Sequence, residues 1–153
     1  MKALKLITQT NDQTASLLAR LTLGLVMFPH GAQMALGWFG GYGYAGTMGF
    51  FTGTMHIPAV FAFLAIAAEF AGSLALIVGL FSRVAAFGLA VVMAVAILTA
   101  HLSHGFFMNW YGNQQGEGFE YHLLALGLAL IVLVHGGGKL SLDSLLTARA
   151  DRK

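Results

Sequence analysis

Four apolar segments, each near the length of a helix that crosses a bilayer, alternate along the chain with polar or glycine-rich connections. A hydrocarbon core about 30 Å thick requires roughly 20 helical residues to cross it. The second segment is apolar except for Glu69 and Ser73, whereas the first carries the most polar residues. The pattern predicts an all-α polytopic membrane protein built as a four-transmembrane-helix bundle, with spans at residues 16–36, 58–80, 84–102 and 121–135.

Basic residues lie at only one side of these segments, and the long connections 36–57 and 101–120 contain none. Cytoplasmic loops of membrane proteins retain Lys and Arg, whereas translocated loops lack them. We therefore predict that both termini are inside (N-in/C-in). The predicted organisation is a cytoplasmic N-terminal tail (1–15), a four-helix domain (16–138) and a cytoplasmic amphipathic tail (139–153). The basic residues are Lys2, Lys5, Arg20, Arg83, Lys139, Arg149, Arg152 and Lys153.

Composition agrees with a membrane protein, since 58% of residues are hydrophobic and only 9% are charged. A soluble domain has a much larger charged fraction. The formal net charge of +2 is better explained by basic residues beside anionic lipid head groups than by nucleic-acid binding. The lipid bilayer is thus an expected partner and nucleic acid is not. The absence of cysteine excludes disulfides and thiolate metal sites.

Glu69 is the principal candidate for chemistry, because it lies midway between Ile57 and Phe81 and so near the middle of the membrane. An ionised carboxylate at that depth costs several kcal/mol unless it is paired, so Glu69 must be protonated, partnered or in contact with water. Small residues on its helical stripe, with Gly72 and Gly79 as helix-packing positions, predict that this stripe faces other helices. The stripe comprises Ala62, Ala65, Glu69, Gly72, Leu76 and Gly79.

His30 on the first segment is the predicted partner of Glu69, because both lie about 20 Å from the inner end of their helices. Gln33 shares the helical face of His30 and completes the predicted site. Pro29 removes one backbone hydrogen bond and leaves room for a kink or a water beside His30. Arg20 lies lower, and its long side chain could extend towards Glu69 or back to the inner surface. The predicted buried polar or proton site therefore contains Glu69, His30, Arg20 and Gln33.

A second group of polar residues gathers where the third segment ends and the fourth begins. We predict that this group lines the outer mouth of the bundle or contacts a partner protein. With His56 and Glu117 it offers imidazole and carboxylate groups that suit Zn, Cu or Fe. The spacing matches no metal-binding signature, so no metal is predicted. The members of the group are His101, His104, Glu120, Tyr121 and His122.

The sequence resembles the DoxX family of small bacterial membrane proteins over nearly the whole chain. The order and spacing of several short stretches carry this resemblance. They are Leu18-Ala19-Arg20-Leu21, His30-Gly31-Ala32-Gln33, Gly37-Trp38-Phe39-Gly40-Gly41, Ala68-Glu69-Phe70-Ala71-Gly72, Ser82-Arg83-Val84-Ala85-Ala86, residues 101–107, Gly118-Phe119-Glu120-Tyr121 and Leu140-Ser141-Leu142-Asp143.

The resemblance implies a four-helix bundle in the bacterial inner membrane and an association with quinone-linked redox systems. The chain is then an accessory subunit of a redox complex, with a quinone as the candidate cofactor and other subunits of the complex as partners. It is not expected to be an enzyme on its own, because no haem ligand pair, flavin motif or nucleotide loop is evident.

Two other functions stay open at this point. One is a small permease or proton-coupled carrier, which would require a homo-oligomer because four helices are few for alternating access. The other is a structural anchor for a soluble partner. A buried Glu69–His30 pair could also serve only to fix the register of the helices.

Overall fold

The computed structural model describes residues 7–10 and 13–150. Within those residues the chain is entirely helical and contains no strand, as predicted. Six α-helices are joined by short helical turns and irregular loops. They are α1 (Thr14–Leu36), α2 (Gly43–Gly49), α3 (Ala59–Val78), α4 (Ser82–Ala96), α5 (Glu120–His135) and α6 (Leu142–Ala150).

Three helical segments are long and apolar enough to cross a membrane within the described part of the chain. They are α1, α3 and the continuous helical segment Ser82–His104 that begins with α4. The fourth predicted span, α5, is also apolar but has only 16 residues. At 1.5 Å per residue it is about 24 Å long, somewhat less than a hydrocarbon core.

Helix α4 does not end where regular α-helical hydrogen bonding stops. A π-helical turn (Ile97–His101) and a 3-10 turn (Leu102–His104) extend it in the same direction. A π turn rotates the following side chains relative to a regular α-helix. The extension carries His101 beyond the regular part of α4 and towards α5.

The helices α1, α3, α4 and α5 form a closed arrangement in which each packs against two others. Helix α1 contacts α3 and α5, and α4 contacts the same two helices from the other side. Small residues allow the closest approach, since Gly24 and Gly31 of α1 lie directly against the backbone of α3. The enclosed core consists of Ala19, Leu23, Met27, Leu76, Ala85, Ala86, Leu89, Met93, Ala125, Ala129 and Val132.

The outer surface of these helices is apolar, as expected for a protein that contacts lipid tails. Large side chains such as Leu18, Phe61, Phe87 and Leu124 are each at least 60% exposed. Their exposure is distributed over α1, α3, α4 and α5, so no single helix carries the whole apolar surface. The apolar outer surface of the described residues is therefore typical of a membrane protein.

The two ends of the bundle differ in character. One end, here called the aromatic end, carries the connections 37–58 and 105–119, with α2 and a π-helical turn (Phe50–Thr54) in the first of them. The other, here called the glycine end, carries the link 79–81 and residues 136–141. Helix α3 ends there at Val78 and is followed by Gly79, whose φ of 72° is in the left-handed region that glycine adopts without strain.

Both predicted tails are partly described, while residues 1–6, 11–12 and 151–153 lie outside the described residues. Helix α6 begins at the glycine end and is tied to the N-terminal segment by Thr147, whose hydroxyl donates to the carbonyl of Thr8 at 3.1 Å. Its polar Asp143 is buried, whereas Leu142 and Leu145 are exposed. The tail thus contacts the bundle through polar groups and presents leucines outward.

Candidate functional site

The contact between α1 and α3 places Glu69 and His30 at the same height. A Cβ atom added to Gly31 would lie only 2.6 Å from the backbone of Glu69, so the two helices touch at this point. Glu69 is 7% exposed, as its stripe of small residues predicts. His30, the neighbour of Gly31, is exposed on the surface of α1. The predicted equal depth is therefore present, but the two side chains differ in burial.

The carboxyl group of Glu69 makes no hydrogen bond or ion pair with any described residue, His30 included. Three unpartnered side-chain atoms in the described residues are completely enclosed, and they belong to Ser82, Arg83 and His122. The oxygens of Glu69 are not among them, so they border space that a small polar molecule can enter. A buried carboxyl group without a protein partner must be protonated or solvated by such a molecule.

Tyr121 connects the two groups of residues that the sequence had suggested separately. Its hydroxyl donates to the sulfur of Met27 at 3.3 Å, and its ring centroid lies 6.3 Å from that of His30. It is also within electrostatic range of Glu69. Met27 lies one helical turn from Gly31 on α1, so Tyr121 reaches from the start of α5 to the height of Glu69. Tyr121 is thus part of the Glu69 site as well as of the predicted mouth.

His101 and His122 form a contact pair between α4 and α5, with ring centroids 4.1 Å apart. The Nδ1–H of His101 donates to the carbonyl of Glu117 at 2.8 Å, so in the neutral ring Nε2 carries the lone pair. His122 is 6% exposed, and its Nδ1 is one of the enclosed atoms without a partner. The ring of Tyr121 lies edge-on to that of His122 at 5.6 Å.

Glu120 and Glu117 organise the loop above the histidine pair instead of facing Glu69. One carboxylate oxygen of Glu120 accepts hydrogen bonds from the indole of Trp110 at 2.9 Å and from the backbone N–H of Met108 at 3.0 Å. Glu117 accepts from the backbone N–H of Asn109 at 2.7 Å. The predicted mouth residue Glu120 therefore acts as a structural acceptor within this loop.

Two further predicted residues lie at the edge of the site. Gln33 donates to the carbonyl of Phe39 at 3.2 Å, and so holds the first loop against the end of α1. His104 lies against Gly116, where an added Cβ atom would come within 2.5 Å of its ring. Neither contacts Glu69. No group of three or more His, Asp or Glu side chains in the described residues is arranged to hold a metal ion.

Arg20 lies at the glycine end, and it does not extend towards Glu69. Its side chain is 1% exposed and donates five hydrogen bonds, all to backbone carbonyls. Two acceptors, Leu76 and Ile77, belong to the last turn of α3. That turn is seven residues from Glu69, or about 10 Å along the helix. The other acceptors are Gly137, Lys139 and Leu140, at distances of 2.7, 3.2 and 2.7 Å.

More than half of the chain matches a known protein family. The DoxX family model matches residues 15–102. The chain belongs to the DoxX family. Neither the curated proteins nor the solved structures gave a match. The matched region of this DoxX protein contains Arg20, His30, Glu69 and His101, and it ends before Tyr121 and His122.

Asp143 completes the Arg20 site of this DoxX protein and was not among the predicted site residues. Its carboxylate is 1% exposed and accepts from the backbone N–H groups of Phe81 and Ser82, both at 2.8 Å. Carboxylates stabilise helix N-termini by this contact, and here the helix is α4. Because Asp143 caps a helix that begins 61 residues earlier in the chain, no local capping pattern reveals it.

The two glycines predicted to pack helices have different roles. Gly72 lies against Ala85 of α4, where an added Cβ atom would make ordinary contacts near 3.8 Å. Gly79 lies beyond the last residue of α3 and is not within the helix. A Cβ atom there would come within 2.5 Å of Ser141 and 3.0 Å of the guanidinium carbon of Arg20. Gly79 therefore makes room for the Arg20 site.

Proposed function

We propose that this chain is an accessory subunit of a quinone-linked redox complex in the bacterial inner membrane. In this proposal the four long helices α1, α3, α4 and α5 all cross the membrane, both termini are cytoplasmic, and the aromatic end faces outward. The one-sided distribution of Lys and Arg supports this topology. In this proposal, other subunits of the complex carry out the electron transfer.

The observation that carries the proposal is the buried carboxyl group of Glu69, which no described residue neutralises or hydrogen-bonds. Ionisable groups at membrane depth are costly and are retained mainly where they act on protons, ions or ligands. Tyr121 is within electrostatic range of Glu69 and contacts the ring of His30, so a donor, an acceptor and a carboxylic acid belong to one region of the bundle. This is the set of groups that proton exchange with a bound molecule requires.

A quinone head group fits the chemistry of this set. Bound there, a quinone would accept two electrons from another subunit together with two protons, and its carbonyl oxygens would accept hydrogen bonds. Tyr121 and His30 would orient the ring, and Glu69 would give and recover a proton. The surface depressions within residues 98–103 and beside Leu140 do not include Glu69. In this proposal the head group approaches Glu69 from the lipid side, past the exposed ring of His30.

The core below Glu69 argues against the carrier alternative. Leu23, Met27, Ala86 and Val132, here called the apolar layer, are each at most 2% exposed and come from three helices. They lie between the height of Glu69 and the Arg20 site. A carrier needs a polar path that can open to both sides. The apolar layer favours a site that communicates with one side only.

The test of this proposal is purification of the chain in mild detergent, followed by extraction and identification of bound lipids and proteins. We expect a quinone to co-purify with the parent together with redox subunits. Glu69→Gln keeps the volume of the side chain and removes the titrating proton. It should insert and unfold like the parent but fail to restore the phenotype of a deletion strain. The matched control, Asp151→Asn near the C-terminus, should restore it.

Two results would contradict the proposal. Full complementation by Glu69→Gln would show that the carboxyl proton has no function. Recovery of a soluble partner with no quinone and no redox subunit would instead support the anchor alternative.

A further inference from the structure

We propose that Glu69 exchanges protons only with the aqueous phase at the aromatic end of the bundle, and that the His101–His122 pair is the proton-transfer site that connects them. The inference deepens the proposed function and takes its physiological meaning from it. It assigns a role to two imidazoles that quinone binding does not require.

The first step of the path is at the surface. His101 is partly exposed, and its Nδ1–H is held by the carbonyl of Glu117 at 2.8 Å. That hydrogen bond fixes the tautomer, so the lone pair of Nε2 is the group that can accept a proton. The ring is therefore oriented by the loop in the way that a proton acceptor at a protein surface requires.

The second step passes from His101 to His122. Their ring centroids are 4.1 Å apart. His122 is buried, with only 6% of its surface exposed. The enclosed Nδ1 of His122 has no hydrogen-bond partner. A buried ring nitrogen without a partner is costly, and it is retained where the nitrogen is needed to accept or donate. His101 accepts a proton at Nε2 and passes it on from the same nitrogen, because its Nδ1–H stays on the carbonyl of Glu117. His122 accepts a proton on one nitrogen and releases another from its second nitrogen, which leaves the ring neutral in the opposite tautomer until the ring turns back.

The third step leads from His122 to Glu69 along α5. The ring of Tyr121 contacts those of His122 and His30, with ring centroids 5.6 and 6.3 Å apart, so the three side chains form one cluster. His122 is within electrostatic range of His30, and Tyr121 is within range of Glu69. In the proposal, water carries the proton over the remaining distance between His122 and Glu69.

The ionisable groups around Glu69 come from three helices in the described residues. They are His30 on α1, His101 at the end of α4, and Tyr121 and His122 on α5. All of them lie towards the aromatic end. Towards the glycine end the next ionisable group is Arg20, whose five hydrogen bonds engage it with carbonyls.

Two features hinder proton transfer from the glycine end to Glu69. The only hydrogen-bonding atom among the side chains of the apolar layer is the sulfur of Met27, which already accepts from Tyr121, and Ala86 and Val132 in the layer are 0% exposed. Ser73, which lies one turn below Glu69, uses its hydroxyl to donate to the carbonyl of Phe70 at 2.8 Å. A proton moving that way would have to cross about 10 Å without a continuous set of acceptors.

Carbodiimide labelling tests the sidedness directly. Dicyclohexylcarbodiimide crosses membranes freely and modifies carboxyl groups in apolar surroundings only when they are protonated. The parent protein is reconstituted in vesicles of one orientation, the pH is set separately on each side, and labelling of Glu69 is measured by peptide mass spectrometry. We expect labelling to decrease when the pH is raised at the aromatic end and to stay constant when it is raised at the glycine end. Labelling that follows the pH at the glycine end, or at both ends, would overturn the inference.

Rapid pH jumps at the aromatic end test the histidine pair. In the parent, labelling of Glu69 should adjust within the time of mixing. His101→Gln and His122→Gln should each slow the adjustment at least tenfold and leave the final level of labelling unchanged. His104→Gln is the matched control, because His104 belongs to the same loop region but is not on the path. If both pair variants adjust as fast as this control, the pair is not the transfer site.

Because His101 is partly exposed, His101→Gln is less disruptive to the fold than a substitution of the buried His122. The kinetic test can therefore rest on His101→Gln alone if His122→Gln does not fold. Labelling requires no bound quinone. One-sided, histidine-dependent labelling without co-purified quinone would retain the inference and contradict the proposed function. Labelling that follows the pH on both sides, together with co-purified quinone, would contradict the inference and support the proposed function.

Discussion

Replacing Arg20 by lysine is the sharpest test of how the glycine end is held together. The guanidinium group donates five hydrogen bonds, four of them at 2.7 Å and one at 3.2 Å, and it is 1% exposed. Lysine keeps the positive charge but has three donors on a single nitrogen, so at least two carbonyls lose their partner. Hydrogen bonds to charged groups contribute roughly 1.5–3 kcal/mol each. Arg20→Lys should therefore lower the free energy of unfolding by about 3–6 kcal/mol.

The assay is unfolding by SDS in mixed micelles, followed by far-ultraviolet circular dichroism. Arg83→Lys is the matched control, because Arg83 lies at the same end and donates to one carbonyl, that of Val134, at 3.0 Å. Its Nε is enclosed without a partner, so the substitution removes an unsatisfied group. We expect the control to change the free energy by less than about 1 kcal/mol. If Arg20→Lys unfolds within the same interval as the control, the five contacts do not stabilise the bundle as argued.

Three further predictions concern the cap, the helix contact and the topology. Asp143→Ala should lower the free energy of unfolding by about 2–4 kcal/mol in the same assay, because two buried N–H groups at the start of α4 lose their acceptor; no change would exclude the capping role. Gly31→Ala should cost about 1–3 kcal/mol, since its methyl group would meet the backbone of α3 at 2.6 Å, whereas Gly127→Ala, with nothing within 4 Å, should be neutral or stabilising; equal effects would contradict the close contact. A cytoplasmic reporter fused after Arg149 and a periplasmic reporter inserted at Gly41 should both be active, and the opposite result at either position would reject the topology.

The candidate site was only partly accessible to prediction. The depth of Glu69 and its inward stripe follow from helix geometry alone, because position along a regular helix fixes both height and direction. The convergence of Tyr121 with Glu69 does not. It depends on α5 being only 16 residues long and on how its first turn meets α1, which are properties of the packed bundle. For the same reason Glu120, adjacent in sequence, turns to the loop instead.

Long polar side chains near helix ends are the least predictable from sequence. Arg20 had two directions open to it, and the choice depended on which carbonyls were left unpaired at the glycine end. Those carbonyls belong to residues at least 56 positions away in the chain. Asp143 is a similar case, since the helix it caps begins far earlier in the sequence.

The sequence by itself determined the membrane class and the four long helical segments, with most of their ends to within about two residues, because the length of an apolar run is a local property. It did not predict that regular α-helix in the third segment stops at Ala96. It also placed Glu69 at mid-height and the chain in its family. The tertiary structure alone decided which polar groups meet. It joined His101 to His122, brought Tyr121 to Glu69, and directed Arg20 into a set of backbone carbonyls. Hydrogen bonds between distant segments are short-ranged and directional, so they exist only after the helices have packed.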